Sequence, residues 1–320
     1  MKETVFYQPA QKNIGLLLSN YDSKWSDFRV CVKTELSHLL PSIENIFLEG
    51  ASLSLFKGKY SRSYIIWAIA KHFKIPFNKA VILSASVELL HEASLIHDDI
   101  QDGQKISRGL PTAHMTIGQN QAINLGSYLA AKSREVIFQS TIFSDREKLQ
   151  IYSALDSTLI SMIAGQNLEF TPLSEQVFCE INYWRCVGGK TCSIITSVLE
   201  AFQIQSKDIE SALCLLGETY QLNNDLEDFI KGSGSIDYKN KIETLPNIKL
   251  FQMRNCNKSN FWNNTPSQEE ILKIKKNISY ILDLKIQKLD DTLSNPESEE
   301  LRFDLLKVLK AVRKPVLEDV

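Results

Sequence analysis

Two acidic clusters carry the residues most suited to chemistry. The first, His97-Asp98-Asp99-Ile100-Gln101-Asp102, ends an otherwise apolar stretch that begins at Val81. On a helix, the spacing of Asp98 and Asp102 puts both carboxylates on one face, about a turn apart, and His91 joins the same stripe. Like charges so placed repel, and repel more when desolvated. Acid at a helix C-terminus also opposes the macrodipole. A hard divalent cation with oxygen ligands relieves both penalties. The second cluster, Asn224-Asp225-Leu226-Glu227-Asp228, follows Gly217-Glu218-Thr219-Tyr220-Gln221. Gln221, Asn224 or Asp225, and Asp228 share one helical stripe, opposite Leu222 and Leu226. Two such stripes facing each other make a multi-metal cleft. That cleft suits a substrate with several phosphate charges, because Mg²⁺ binds through few carboxylates plus substrate phosphates. Either cluster alone is equally an acidic, solvated helix face.

Cations to meet a diphosphate stand at Gly58-Lys59-Tyr60-Ser61-Arg62, at Arg108 and at Lys190-Thr191. Singly, each is what any protein surface carries. Lys190 after Gly188-Gly189 reads as a helix-start lysine, and His91 as a partly buried, satisfied histidine.

The elements that must position these groups are helices. From Ile14 onward apolar residues recur at three- and four-residue steps, as in Ile65, Ile69 and Phe73, or Leu213, Leu216 and Tyr220. Strand-like alternation is sparse, and 13 glycines and 9 prolines in 320 residues are few for a turn-rich α/β or all-β chain. Residues 1–12 read as a loose lead-in and 255–267, with Asn-Asn-Thr-Pro inside, as a surface loop. Ile271 to Leu284 and Leu301 to Val312 read as terminal helices. Nothing resembles a linker, so the expectation is one all-α domain over 1–320. With Lys+Arg 36 against Asp+Glu 38 the net charge is −2, which excludes the basic field of a nucleic-acid binder. The six cysteines show no CxxC pair, so zinc is not expected and reduced thiols are. No uninterrupted apolar run reaches bilayer-spanning length, and the start lacks the order of a signal peptide. A cytoplasmic protein is expected.

In order along the chain, these segments resemble the trans-isoprenyl diphosphate (polyprenyl) synthase family. Gly58-Lys59-x-x-Arg62 is similar to its first motif, and Glu88 through Asp102 to its helix bearing the first DDxxD. Arg108-Gly109-Leu110-Pro111-Thr112-Ala113-His114 follows. Gly165-Gln166-x-x-Glu169, Tyr183 with Lys190-Thr191, Gly217-x-x-Tyr220-Gln221-x-x-Asn224-Asp225-x-x-Asp228, and Asp237 with Thr244-Leu245-Pro246 complete the series. The resemblance implies an all-α, isoprenoid synthase-like helical bundle around a central cavity, usually a homodimer though a heteromer is open. It implies three Mg²⁺ ions on an allylic diphosphate, with Asp98, Asp102, Asn224, Asp225 and Asp228 as metal ligands. Lys59, Arg62, His91 and Arg108 would hold isopentenyl diphosphate. Lys190, Thr191 and Gln221, with Asp98 and Asp99, would form the catalytic set beside the ionising carbon. The implied reaction condenses isopentenyl diphosphate with an allylic diphosphate into a longer trans-prenyl diphosphate. Small Ala93 and Ser94 before Asp98 imply products of C20 or longer, with Leu90, a turn further, as a new floor to the pocket.

The sequence departs from the family pattern at the allylic substrate. Ser107 stands where the first of two arginines is usual, Asn224 where the second DDxxD begins with aspartate, and Ser233 or Gly232 and Ile242 near the usual lysines. Lys231, Lys239 and Lys241 lie nearby as replacements. Asn224-Asp225 also half-matches the metal motif of class I terpene cyclases. A cyclase, a prenyltransferase with another acceptor, and a non-catalytic partner subunit are therefore the alternatives. Retained Lys59, Arg62 and Arg108 weigh against the first two, and Asp98, Asp99, Asp102 and Lys190 against the third.

Overall fold

The computed structural model describes residues 25–47, 55–107, 109–170 and 178–317, with backbone only beyond 310. Residues 1–12 and Arg108 lie outside the described residues. Among those described, every regular element is helical except one short hairpin. They divide into two compact units, one comprising residues up to 155 with 200–202, the other 156–199 with 203 onward.

The first unit contains α1 (Trp25–Ser37), α2 (Leu40–Phe47), α3 (Ser61–His72), α4 (Phe77–Gln101), the hairpin β1 (Ile106–Ser107) and β2 (Leu110–Pro111), α5 (Ala113–Ile117), α6 (Gln119–Gln139) and the start of α7 (Asp145–Phe170). Its centre is α4, which packs against α6, α3 and α1. Val81, Leu83, Ala85, Leu89 and Leu90 are all buried, and so are Glu88 and Glu92. Taken as a whole α4 is long and apolar enough to cross a membrane, which no uninterrupted run in the sequence suggested. Most of that window is buried inside the protein, as in any core helix. The helix ends because Gly103, at φ +64, turns left-handed. Its amide reaches Ile100 O at 3.3 Å and the next amide, of Gln104, reaches Asp99 O at 2.9 Å, a Schellman close. That stop leaves Asp98 and Asp102 on the last turn. In the hairpin Ile106 pairs with Pro111 and Ser107 with Leu110.

The second unit continues α7 and adds α8 (Glu180–Val187), a π-helical turn over Gly188–Cys192, α9 (Ser193–Ala201), α10 (Lys207–Phe229), α11 (Ile236–Lys239), α12 (Leu245–Arg254), α13 (Lys258–Phe261), α14 (Gln268–Thr292) and α15 (Glu299–Leu317). Helix α10 is the spine, capped by Ser206 accepting from Ile209 N and packed on α14, α15, α12 and the π turn. Its apolar face meets Phe178, Tyr238, Phe261 and Ile278 in one core. The segment 255–267, expected as a surface loop, is exposed along much of its length but contains α13 and buries Phe261 completely. Aromatic packing of Phe261 on Trp262, Phe178 and Phe251 explains the difference.

Candidate active site

In the first unit the loop before α3 is held in two left-handed residues, Phe56 (φ 59) and Tyr60 (φ 60). Such backbone is costly for a bulky side chain, and it persists where surroundings enforce it. Here the Tyr60 ring is buried and its hydroxyl donates to Phe56 O at 2.8 Å. The lock leaves Lys59 exposed at the mouth of α3. Arg62, on the first turn of α3, donates from Nη1 to His91 Nε2 at 2.9 Å. Arginine only donates, so His91 Nε2 is the acceptor and its ring proton sits on Nδ1. One turn before His91, Glu88 accepts from Ser63 N (3.2 Å) and Ser63 Oγ (2.7 Å), fixing α3 on α4. Two of the four residues expected to hold isopentenyl diphosphate are therefore in contact. Asp98, Asp99 and Asp102 are all partly exposed at the end of α4. Of the residues expected to bound the prenyl chain, Leu90 and Ala93 are buried, whereas Ser94 is partly open and donates to His91 O.

In the second unit the site is built by a close crossing. A Cβ at Gly189 would stand 2.6 Å from Ser161 O and 2.9 Å from Gly165 Cα, so α7 and the π turn touch through bare backbone. Sequence reading takes Gly188-Gly189 as a helix start. The structure instead runs α8 into α9 through one widened turn, a feature enriched at functional sites. The crossing sets Lys190 Nζ 2.9 Å from Glu169 Oε2. Thr191 Oγ1 donates to Gln221 Oε1 (2.9 Å), Gln221 Nε2 to Asp225 Oδ1 (2.8 Å), and Tyr183 OH to Asp225 Oδ2 (2.7 Å). Burial pushes the Asp225 carboxyl up to about 7, against the pull of the Tyr183 and Gln221 hydrogen bonds. Glu169, Asn182, Tyr183, Lys190, Gln221, Asp225 and Thr244 line one pocket of about 480 Å³, part of it open to solvent. Within it Asn182 Oδ1 and Thr244 Oγ1 are buried without protein partners.

The stripe on α10 is less uniform than its spacing predicts. Asn224 is exposed and Asp225 buried. Asp228 accepts from Ser235 Oγ (2.5 Å), Lys231 Nζ (2.9 Å), Asp237 N (3.0 Å) and Ile236 N (3.3 Å), so it ties α10 to the start of α11. Burial alone would push its pKa up, but those donors outweigh it and the net shift is downward. Lys231, one of the three candidate replacement lysines, pairs with Asp228 itself. Ile242, where the family has a cation, is a buried wall of the pocket. Tyr183 and Glu169, noted only as parts of motifs, prove to be the partners of Asp225 and Lys190. No local signal could assign them, since each contact joins residues far apart in sequence.

The donors suit Mg²⁺: carboxylate and amide oxygens, few per cluster. Among the described residues no group of three or more His, Cys, Asp or Glu side chains is gathered as a metal site.

The chain is 30% identical over 178 residues to a geranylgeranyl pyrophosphate synthase of Macrophomina phaseolina, a match covering 54% of this chain and 53% of that one. It is 26% identical over 248 residues to the geranylfarnesyl diphosphate synthase of Methanosarcina mazei, covering 74% and 80%. The chain spans about half the length of the first of these. Among solved structures, the polyprenyl synthase of Caulobacter crescentus complexed with calcium and isoprenyl diphosphate superposes with a TM-score of 0.66 at 18% identity, over 90% of this chain and 93% of that one. The sequence profile described as Polyprenyl synthetase matches residues 46–281, most of the chain and parts of both units. The protein belongs to the polyprenyl synthetase family.

Proposed function

We propose that the protein is a Mg²⁺-dependent prenyltransferase that condenses isopentenyl diphosphate with an allylic diphosphate, giving a trans-prenyl diphosphate of C20 or longer. The observation that carries this reading is the gathering of Lys190, Gln221 and Asp225 in one pocket, with Thr191 bonded to Gln221, in a chain that keeps Lys59 and the Arg62–His91 pair. The family's profile runs through both units, which supports treating 1–320 as one catalytic domain.

Lys59, Arg62, His91 and Arg108 hold the isopentenyl diphosphate by charge-assisted hydrogen bonds. Asp98 and Asp102, and Asn224, Asp225 and Asp228, would hold Mg²⁺, three ions as the resemblance implies. Mg²⁺ there supplies positive charge that stabilises the departing pyrophosphate. Lys190 leaves Glu169 to meet the same developing charge. Thr191 and Gln221 flank the allylic carbon as it ionises, and the isopentenyl double bond attacks that carbon. The proton then lost goes to pyrophosphate, so no protein nucleophile is required. Apolar pocket walls such as Leu168, Val187 and Ile242 exclude water from the cation. A homodimer fits Ile160 and Ile163, both more than half exposed on α7. A cytoplasmic location fits six free thiols.

The test is pyrophosphate release and product analysis with Mg²⁺ and geranyl, farnesyl or geranylgeranyl diphosphate, each with and without isopentenyl diphosphate. Turnover that requires isopentenyl diphosphate and lengthens the chain is expected. Release without it, giving hydrocarbon or alcohol, overturns the reading in favour of a cyclase. Silence in every mixture leaves a partner subunit.

A further inference from the structure

The hydrogen bonds from Thr191 to Asp225 have a direction, and Tyr183 stands at the end that sets it. An amide presents an acceptor on one side and donors on the other. Gln221 turns its Nε2 to Asp225, so its Oε1 faces Thr191 and takes the hydroxyl proton. Thr191 Oγ1 is then left with lone pairs on its remaining sides. Asp225 receives that amide on one oxygen and the Tyr183 hydroxyl on the other, at 2.8 and 2.7 Å. Tyr183 is itself fixed: it is buried on α8, and its ring stands edge-on to Trp184 with centroids 4.8 Å apart. Without the phenol, the carboxylate could rotate away from Gln221 and the amide could flip. Thr191 would then face an N–H and have to accept, turning its own proton outward.

We propose that Tyr183 is a positioning residue that holds this polarity, so that Thr191 offers lone pairs rather than a proton to the electron-poor allylic carbon. The inference rests on the prenyltransferase reading and deepens it. It separates Tyr183 from a role in merely burying Asp225, because a burial role would change stability or metal use and leave the chemical step alone.

A double-mutant cycle on kcat tests it. Tyr183→Phe keeps the ring and removes the hydroxyl. The expected result is a fall in kcat on the order of tenfold to a hundredfold, with KM for both diphosphates unchanged. Thr191→Val should fall similarly, and the double variant should be no slower than Thr191→Val alone. Unchanged kcat in Tyr183→Phe overturns the inference, as do effects that multiply in the double variant. A raised KM or Mg²⁺ requirement with kcat preserved also overturns it, assigning Tyr183 to binding instead. Should Tyr183→Phe fail to fold by circular dichroism, Thr191→Val decides: slow turnover at unchanged KM supports the proposal, and wild-type kcat overturns it. The unmutated protein is the control for the function itself. If it does not elongate, the functional reading fails before the variants are compared; if it does and the variants match it, only this inference fails.

Discussion

Gly189 has no side chain because there is no space for one, and Lys190 depends on that. A methyl there meets backbone on both nearest approaches, Ser161 O and Gly165 Cα, which no rotamer change relieves. Gly189→Ala should therefore lift the π turn off α7, destabilise the protein by about 1–3 kcal/mol, and part Lys190 from Glu169. Urea unfolding and steady-state assay check this; wild-type stability would show that the crossing is softer than described. Asp225 gives a second prediction at this scale. With its carboxyl pushed up to about 7 by burial, the folded chain retains a proton that the unfolded chain, titrating near 4, has released. Stability in metal-free buffer should therefore fall as pH rises from about 4 to 7 and level off above, by an amount on the order of 4 kcal/mol. Asp225→Asn should flatten the slope between pH 5 and 7.5. A wild-type profile that is flat or rises in that window counts against a buried, proton-retaining Asp225. The acidic residues themselves were legible in sequence, because charge at helical spacing is a local pattern. Their burial was not: nothing in Asn224-Asp225 says that the asparagine faces water while the aspartate sits under Tyr183.

At the scale of elements, periodicity predicted α4, α10, α14 and α15 because each buries one stripe or a whole central length. It failed where tertiary contacts decide the backbone. The π turn at Gly188–Cys192 exists because α7 crosses it, and the hydropathy of the segment does not encode that crossing. Residues 255–267 read as a polar loop because one buried aromatic, Phe261, is too weak a pattern to outweigh Asn-Asn-Thr-Pro. What holds that segment is Arg254 at the end of α12. Its guanidinium donates to both oxygens of Glu270 (2.8 and 2.9 Å) and to the carbonyls of Asn264 (2.7 Å) and Thr265 (3.1 Å). Glu270 is meanwhile the second half of a capping box with Ser267 at the head of α14. One planar fork thus fastens the segment to two helices. Arg254→Ala should destabilise the protein by about 2–3 kcal/mol. Arg254→Lys should recover only part, since an ammonium cannot reproduce the bidentate geometry. Chemical denaturation of both variants checks the order, and full recovery by lysine would show that charge alone suffices.

At the scale of the whole molecule, the described residues form two compact units, each with its own acidic cluster, and the family profile runs through both. Local patterns could assign every cluster to a helix end or face but could not group helices into units, since that grouping lives in contacts between residues distant in the chain. The same blindness applied to the outer surface. Ile160, Ile163 and Phe170 recur on α7 at steps of three and seven, a spacing that on its own reads as a core stripe. In the fold all three are exposed, at 67%, 61% and 45%. Isolated apolar side chains on a surface need no explanation, but several along one helix face form a patch that water solvates poorly. A second copy of the chain, laid on this face in the homodimer proposed above, would remove it from water. The unmutated protein should then sediment as a dimer at micromolar concentration. Ile160→Asp combined with Ile163→Asp would bury two uncompensated charges in such an interface, at a cost far above the hydrophobic gain it replaces. That variant should sediment as a folded monomer with an unchanged circular dichroism spectrum. A wild-type monomer would remove the dimer from the functional picture, and a dimer that survives both aspartates would put the interface on another face of the molecule.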